Sequence, residues 1–220
     1  MNRVLAVSFL LAGLCCLAAP QDKGSLEVFG GYSYVRATGA LTSPISIFNG
    51  GDVRDSFFPH HGPTRGVNLN GWEASFAYRR GHLGLVLDTS GHYGSANTLD
   101  ECDSRFLPCT SPTLHAHFTI QNYILAGPRY YFGGEHFDPF VHALFGYTHW
   151  NARFDANPAE FFTPIHQDGN GFGAALGIGA DLKIAPHFGY RLLQADYFPT
   201  HLNRKTEHNL RVSTGLLLKF

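Results

Sequence analysis

Asn209-Leu-Arg-Val-Ser-Thr-Gly-Leu-Leu-Leu-Lys-Phe220 ends the chain, and its reading decides the fold. Taken in steps of two from the end, Phe220, Leu218, Leu216, Thr214, Val212 and Leu210 make a face that is apolar apart from one hydroxyl. The alternate set, Lys219, Leu217, Gly215, Ser213, Arg211 and Asn209, is mostly polar or small. A period of two held along the whole stretch is a strand with one oily face and one wet face. Such a strand, tilted, is long enough to cross a bilayer's hydrocarbon. Its backbone groups cannot be left unpaired in lipid, so it needs neighbours on both sides in a closed barrel.

Composition agrees with that reading. The 220 residues suit one domain, and only 15% of them are charged, against 14% aromatic and 25 glycines. Beyond the N-terminus no continuous apolar run is long enough for a membrane helix, whereas a membrane barrel hides its apolar residues by alternation. A formal net charge of −1 gives no reason to expect a nucleic-acid partner. Arg3 and the apolar run from Val4 to Leu17, followed by Ala18 and Ala19, read as a cleaved export signal. Residues 1–20 are therefore expected to be removed, leaving one barrel domain over residues 21–220. Cys15 and Cys16 lack the preceding small residue of a lipoprotein signal. Cys102 and Cys109 remain, and in an oxidising compartment they are expected to form a disulfide.

Seven more strands can be marked. They run at about Leu26–Arg36, Val67–Arg79, Leu83–Tyr93, Leu114–Tyr131, Pro139–Trp150, Gly171–Lys183 and Phe188–Tyr197. The connections between them alternate long and short, with Arg80-Gly81, Phe132–Asp138 and Ile184–His187 as the short ones. All long loops then fall at one end, the asymmetry of an outer-membrane barrel. The class expected is all-β: an eight-stranded, antiparallel, up-and-down transmembrane β-barrel.

Face composition decides which side is oily. Strand 6 sets Phe172, Ala174, Leu176, Ile178, Ala180 and Leu182 against Gly171, Gly173, Ala175, Gly177, Gly179, Asp181 and Lys183. No soluble sheet favours a solvent face paved with glycine and alanine, so the oily set faces lipid and the small residues fill the lumen. In strand 4 the same parity sends Leu114, Ala116, Phe118, Ile120, Ile124 and Ala126 outward, with His115, His117, Thr119, Gln121, Tyr123 and Arg129 inward. Across the strands, Glu73, Asp88, Arg129, Asp181, Arg191 and Arg211 fall inside. Buried charges must be paired, so these six are expected to form an interior polar network that plugs the lumen. A cation or anion path is the alternative use of the same residues.

Strand 7 breaks its own alternation. Phe188, Tyr190 and Leu192 face lipid, and an unbroken phase would then put Gln194 and Asp196 in hydrocarbon. One extra residue at Leu192-Leu193, a β-bulge, would return both to the lumen and let Asp196 meet an arginine such as Arg211.

The segments Val28–Arg36, Leu125–Phe132, Pro139–Tyr147 and Arg191–Tyr197, in that order and with the terminal Phe220, resemble the bacterial outer-membrane β-barrel family typified by the transmembrane domain of outer membrane protein A. The resemblance covers the mature chain, and no peptidoglycan-binding domain is expected after Phe220. It implies an outer-membrane location, contact with outer-membrane lipid and lipopolysaccharide, a monomer, and folding by the barrel assembly machinery that reads Phe220. It implies no single function.

Two chemical readings are weighed against this background. Thirteen histidines, with His115 and His117 on one strand and His60-His61 in a loop, invite a metal, yet no cysteine or carboxylate stands at ligand spacing. No metal and no cofactor are expected. Glu207, His208 and Ser213 are the nearest approach to a lipid A-modifying site, but a histidine and serine five residues apart lie on opposite faces of a strand. The expectation is a structural or interaction barrel that is not an enzyme, with a narrow pore as the alternative and a lipid A-modifying enzyme after that.

Overall fold

The computed structural model describes residues 24–37, 67–99, 113–157, 165–202 and 205–220. They form eight strands: β1 (Ser25–Ala37), β2 (Val67–Arg80), β3 (Leu83–Leu99), β4 (Thr113–Tyr131), β5 (Phe137–Asn157), β6 (Ile165–Ala185), β7 (Phe188–Leu202) and β8 (Lys205–Lys219). Each pairs antiparallel with its neighbours in sequence, and β1 pairs with β8, so the sheet closes as an all-β, up-and-down barrel. The signal segment, His60, His61, Cys102 and Cys109 lie outside the described residues.

At one end the links are tight. Gly81 and His82 alone join β2 to β3, with Gly81 at φ 61°, a conformation a Cβ disfavours. At the other end the strands run well past the expected boundaries. β5 and β6 each extend over 21 residues, and β7 and β8 leave only residues 203–204 between them. The β7–β8 link, expected to be a loop from Phe198 to His208, is therefore as short as the turns at the opposite end. The long-short alternation fails there.

The reason for the misjudged ends is an inversion of polarity along the strands. In the lower part Phe76, Leu85, Leu87, Ile178 and Leu216 point outward and are half exposed, between aromatic girdles that include Tyr78, Tyr130 and Phe220 below and Trp72, Tyr147 and Phe172 above. No soluble monomer exposes such a band, and a bilayer supplies its solvent. Above the upper girdle the rule reverses. Val35, Leu69, Phe118, Ile120, Trp150 and Phe198 point inward and are buried, while Asn68, Asn70, His117, His149 and Arg153 on the same strands belong to the outward face. The strands still alternate, but in the sense of a water-exposed barrel with a dry core.

Besides an irregularity at Ile184 beside the β6–β7 turn, two bulges adjust the phase within the strands. In β7, Arg191 pairs with Gly215 and Gln194 with Ser213, so Leu192 and Leu193 together oppose Thr214. Both leucines face out, and Gln194 and Asp196 are fully buried, so the phase reversal expected at this dipeptide is present. In β4, Asn122 pairs with Thr148 and Ile124 with Tyr147, leaving Tyr123 as an extra residue. This second bulge corrects the single-parity reading of β4. Phe118 and Ile120 face the lumen, not lipid, while His117, Thr119 and Gln121 belong to the outer face.

Candidate functional site in the barrel lumen

Inward positions at mid-barrel carry charge because small residues on the facing strands leave room for long side chains. Arg211 of β8 is the hub. Its Nε donates to Asp196 Oδ2 at 2.7 Å and its Nη1 to Asp88 Oδ1 at 3.0 Å, and Nε lies 3.5 Å from Glu73 Oε2. Arg191 makes a fork with Asp181, from Nε at 2.8 Å and from Nη2 at 3.2 Å, and gives Nη1 to Gln194 Oε1 at 2.8 Å. Gln194 links the two halves by donating Nε2 to both Glu73 Oε1 and Asp196 Oδ2, each at 2.9 Å. Glu73, Asp88, Asp181, Arg191 and Arg211 thus share one connected cluster, buried throughout.

Arg129 is held differently. It is buried, and among the described residues its partners are rings and an imidazole rather than a carboxylate. It lies 4.3 Å from the Phe140 centroid and 3.4 Å, by Nη2, from His142 Nδ1. A guanidinium only donates, so Nδ1 accepts and the other imidazole nitrogen carries the hydrogen that reaches Asp196 Oδ1 at 2.9 Å. Aromatic faces recur along the lumen. Arg79 sits over Tyr131 at 3.9 Å, and Arg191 over Phe29 at 4.2 Å and Phe140 at 4.6 Å.

From the hub runs a directional chain. Ser213 Oγ donates to Glu73 Oε2, Ser33 Oγ donates to Ser213 Oγ at 2.8 Å, and His92 Nε2 meets Ser33 Oγ at 2.8 Å. All four are buried. Above them the apolar layer of Leu69, Phe118, Ile120 and Trp150 leaves a cavity of only about 20 Å³, room for one water. At the opposite mouth, Arg79 pairs with Asp138 and Glu27, Tyr131 Oη donates to Glu27 Oε2 at 2.7 Å, and Lys219 lies 3.3 Å from Glu27. These groups stand over an open vestibule of about 500 Å³.

His142, Ser33 and His92 were not singled out from sequence, and Gln194 only as a residue that the β7 bulge would turn inward. Their inward parity was readable, but nothing in a strand pattern says which neutral polar groups will meet. The trio Glu207, His208 and Ser213 is not assembled: His208 faces out, while Glu207 and Ser213 face in. Among the described residues no cluster of histidines, cysteines and carboxylates has metal-binding geometry.

No family model and no curated protein matches the chain. Solved structures do. The attachment invasion locus protein of Yersinia pestis, in complex with the heparin analogue sucrose octasulfate, is 15% identical over 90% of this chain and 100% of its own, with a TM-score of 0.53. Neisserial surface protein A is 16% identical over 90% of this chain and 100% of its own, at 0.46. The outer membrane protease OmpT of Escherichia coli is 10% identical over 92% of this chain and 99% of its own, at 0.48. That match overturns the expectation that the chain is not an enzyme, since a protease stands among the barrels it resembles and the architecture is no ground for denying catalysis. The closed eight-strand order, the lipid-facing belt and the likeness to the Yersinia pestis barrel agree: this chain is a transmembrane β-barrel with the fold of bacterial outer-membrane proteins.

Proposed function

We propose that the chain serves as a closed-lumen barrel, structural or interactive, whose work is done on its outer surface and external end. The observation that carries this is the double seal of the lumen. A connected ionic cluster around Arg211 fills mid-barrel, and an apolar layer of Leu69, Phe118, Ile120 and Trp150 lies above it. A solute would have to break buried ion pairs and then cross a dry layer, and each step costs several kcal/mol. The likeness to a barrel solved with a heparin analogue supports surface recognition as work suited to this architecture. The purified protein in a planar bilayer is expected to be silent. Steady single-channel openings would overturn the closed-lumen reading and favour the narrow pore, which the vestibule would then feed.

A further inference from the structure

Beyond the work assigned to the outer surface and external end, we propose that the vestibule at the turn end binds a small zwitterion of the amino-acid or short-peptide class. Inward parity brings long charged side chains to the last rows of the strands, where no further layer lies beneath them. Arg79 of β2, Lys183 of β6 and Lys219 of β8 line this opening of about 500 Å³, a size within the range of small-ligand sites. Glu27 of β1 and Asp138 of β5 are buried beside the three cations. Glu135, in the β4–β5 link, lines the same space.

The buried acids hold the cations in place without using all their donors. Arg79 gives Nη1 to Asp138 and Nε to the Gly81 carbonyl at 2.9 Å, and it sits over the Tyr131 ring. Its Nη2 has no acceptor among the described residues. Lys219 stands 3.3 Å from Glu27 Oε1, an oxygen that accepts no hydrogen bond. Lys183 donates to the Gly134 carbonyl at 2.6 Å and lies 3.6 Å from Asp138. A guanidinium and an ammonium each carry more hydrogens than these contacts take, so donors remain for a ligand.

Glu135 narrows the ligand. It is exposed and forms no ion pair among the described residues, although it shares the vestibule with three cations. A polyanion would be repelled by Glu135, and a simple cation by Arg79 and the two lysines. A molecule bearing both charges suits both sides. Its carboxylate would take the guanidinium fork of Arg79 with Lys219 beside it, and its ammonium would take Glu135. Ile184, the unpaired residue before the β6–β7 turn, and Pro186 supply an apolar wall for a side chain.

The test titrates the full chain, folded in detergent micelles, with trialanine, its C-terminal amide and its N-acetyl form. Backbone amide shifts of Gly81, Gly134 and Ala185 report binding. Trialanine is expected to give saturable shifts, and each capped form to bind about tenfold more weakly, as loss of one charge-assisted contact implies. Lys219→Gln and Glu135→Gln should each show a similar loss for trialanine. Arg36→Gln, at the far end of the barrel, should bind as the wild type does. Lys219 also belongs to the β1–β8 seam, so exposed Glu135 supplies the variant that tests the site if Lys219→Gln does not fold. Absence of saturable shifts with trialanine overturns the proposal. So does equal binding of the capped forms, undiminished binding by Glu135→Gln, or an equal loss in Arg36→Gln. Channel openings would refute the closed lumen and leave this result standing.

Discussion

Leu26 and Phe220 exchange both of their backbone hydrogen bonds, Leu26 N–H to Phe220 at 2.9 Å and Phe220 N–H to Leu26 at 2.8 Å. The last residue of the chain is therefore part of the seam that closes the barrel, and its ring, 68% exposed, belongs to the lower girdle. Deleting Phe220 removes two backbone bonds and one girdle ring at once. Export should continue while insertion falls. The check is the heat-modifiable folded band in the outer-membrane fraction, which should drop sharply; a normal band would contradict the role given to the terminus.

Arg211→Met should be costly. It strips the shared cation from Asp88, Asp196 and Glu73 while leaving all three buried. Breaking a buried ion pair from one side costs ~3–5 kcal/mol. Urea unfolding in micelles measures it, and a loss below about 1 kcal/mol, the scale of an exposed pair, would mean that the network is not what holds the lumen.

Removing Leu193 should be worse than truncating it. The deletion erases the β7 bulge and turns Gln194 and Asp196 toward lipid, parting Asp196 from Arg211. Leu193→Ala keeps the residue count and should still fold. Folded fractions on unheated gels separate the two, and equal yields would show that the bulge does not set the phase.

The polarity inversion predicts opposite tolerances on β6 and β4. Ile178 is 63% exposed midway along the lipid-facing part of β6, so Ile178→Arg should cost ~2–4 kcal/mol. Gln121→Arg, above the girdle, should cost ~0–1 kcal/mol. Unfolding in lipid vesicles checks both, and similar costs would misplace the hydrocarbon boundary.

The eight strands and the oily outer face were legible because the lipid-crossing parts obey one rule. Charge made the β7 bulge legible: an unbroken phase would have left Asp196 in hydrocarbon, which no strand tolerates. The β4 bulge left a fainter trace. Only neutral Asn122 conflicts with a single parity there, and Phe118 and Ile120 look like lipid-facing residues. The upper parts of β5, β6, β7 and β8 were illegible for a related reason. Alternation reveals two faces but not which solvent lies outside, and above the girdle that solvent is water. Of the lumen, the charged residues could be placed by parity, whereas the hub role of Arg211 depends on cross-barrel distances that no local pattern contains.

The inversion also fixes how deep the molecule floats. A barrel that is oily outside along its whole height can bob in the bilayer at little cost. Here a drop of two residues, ~5 Å, would drown Gln121, His149 and Asn170 in hydrocarbon. The same rise would lift Tyr147 and Phe172 into water. With a restoring force in both directions, the barrel keeps a set draught, and membrane thickness becomes a variable to which its tilt and stability must respond.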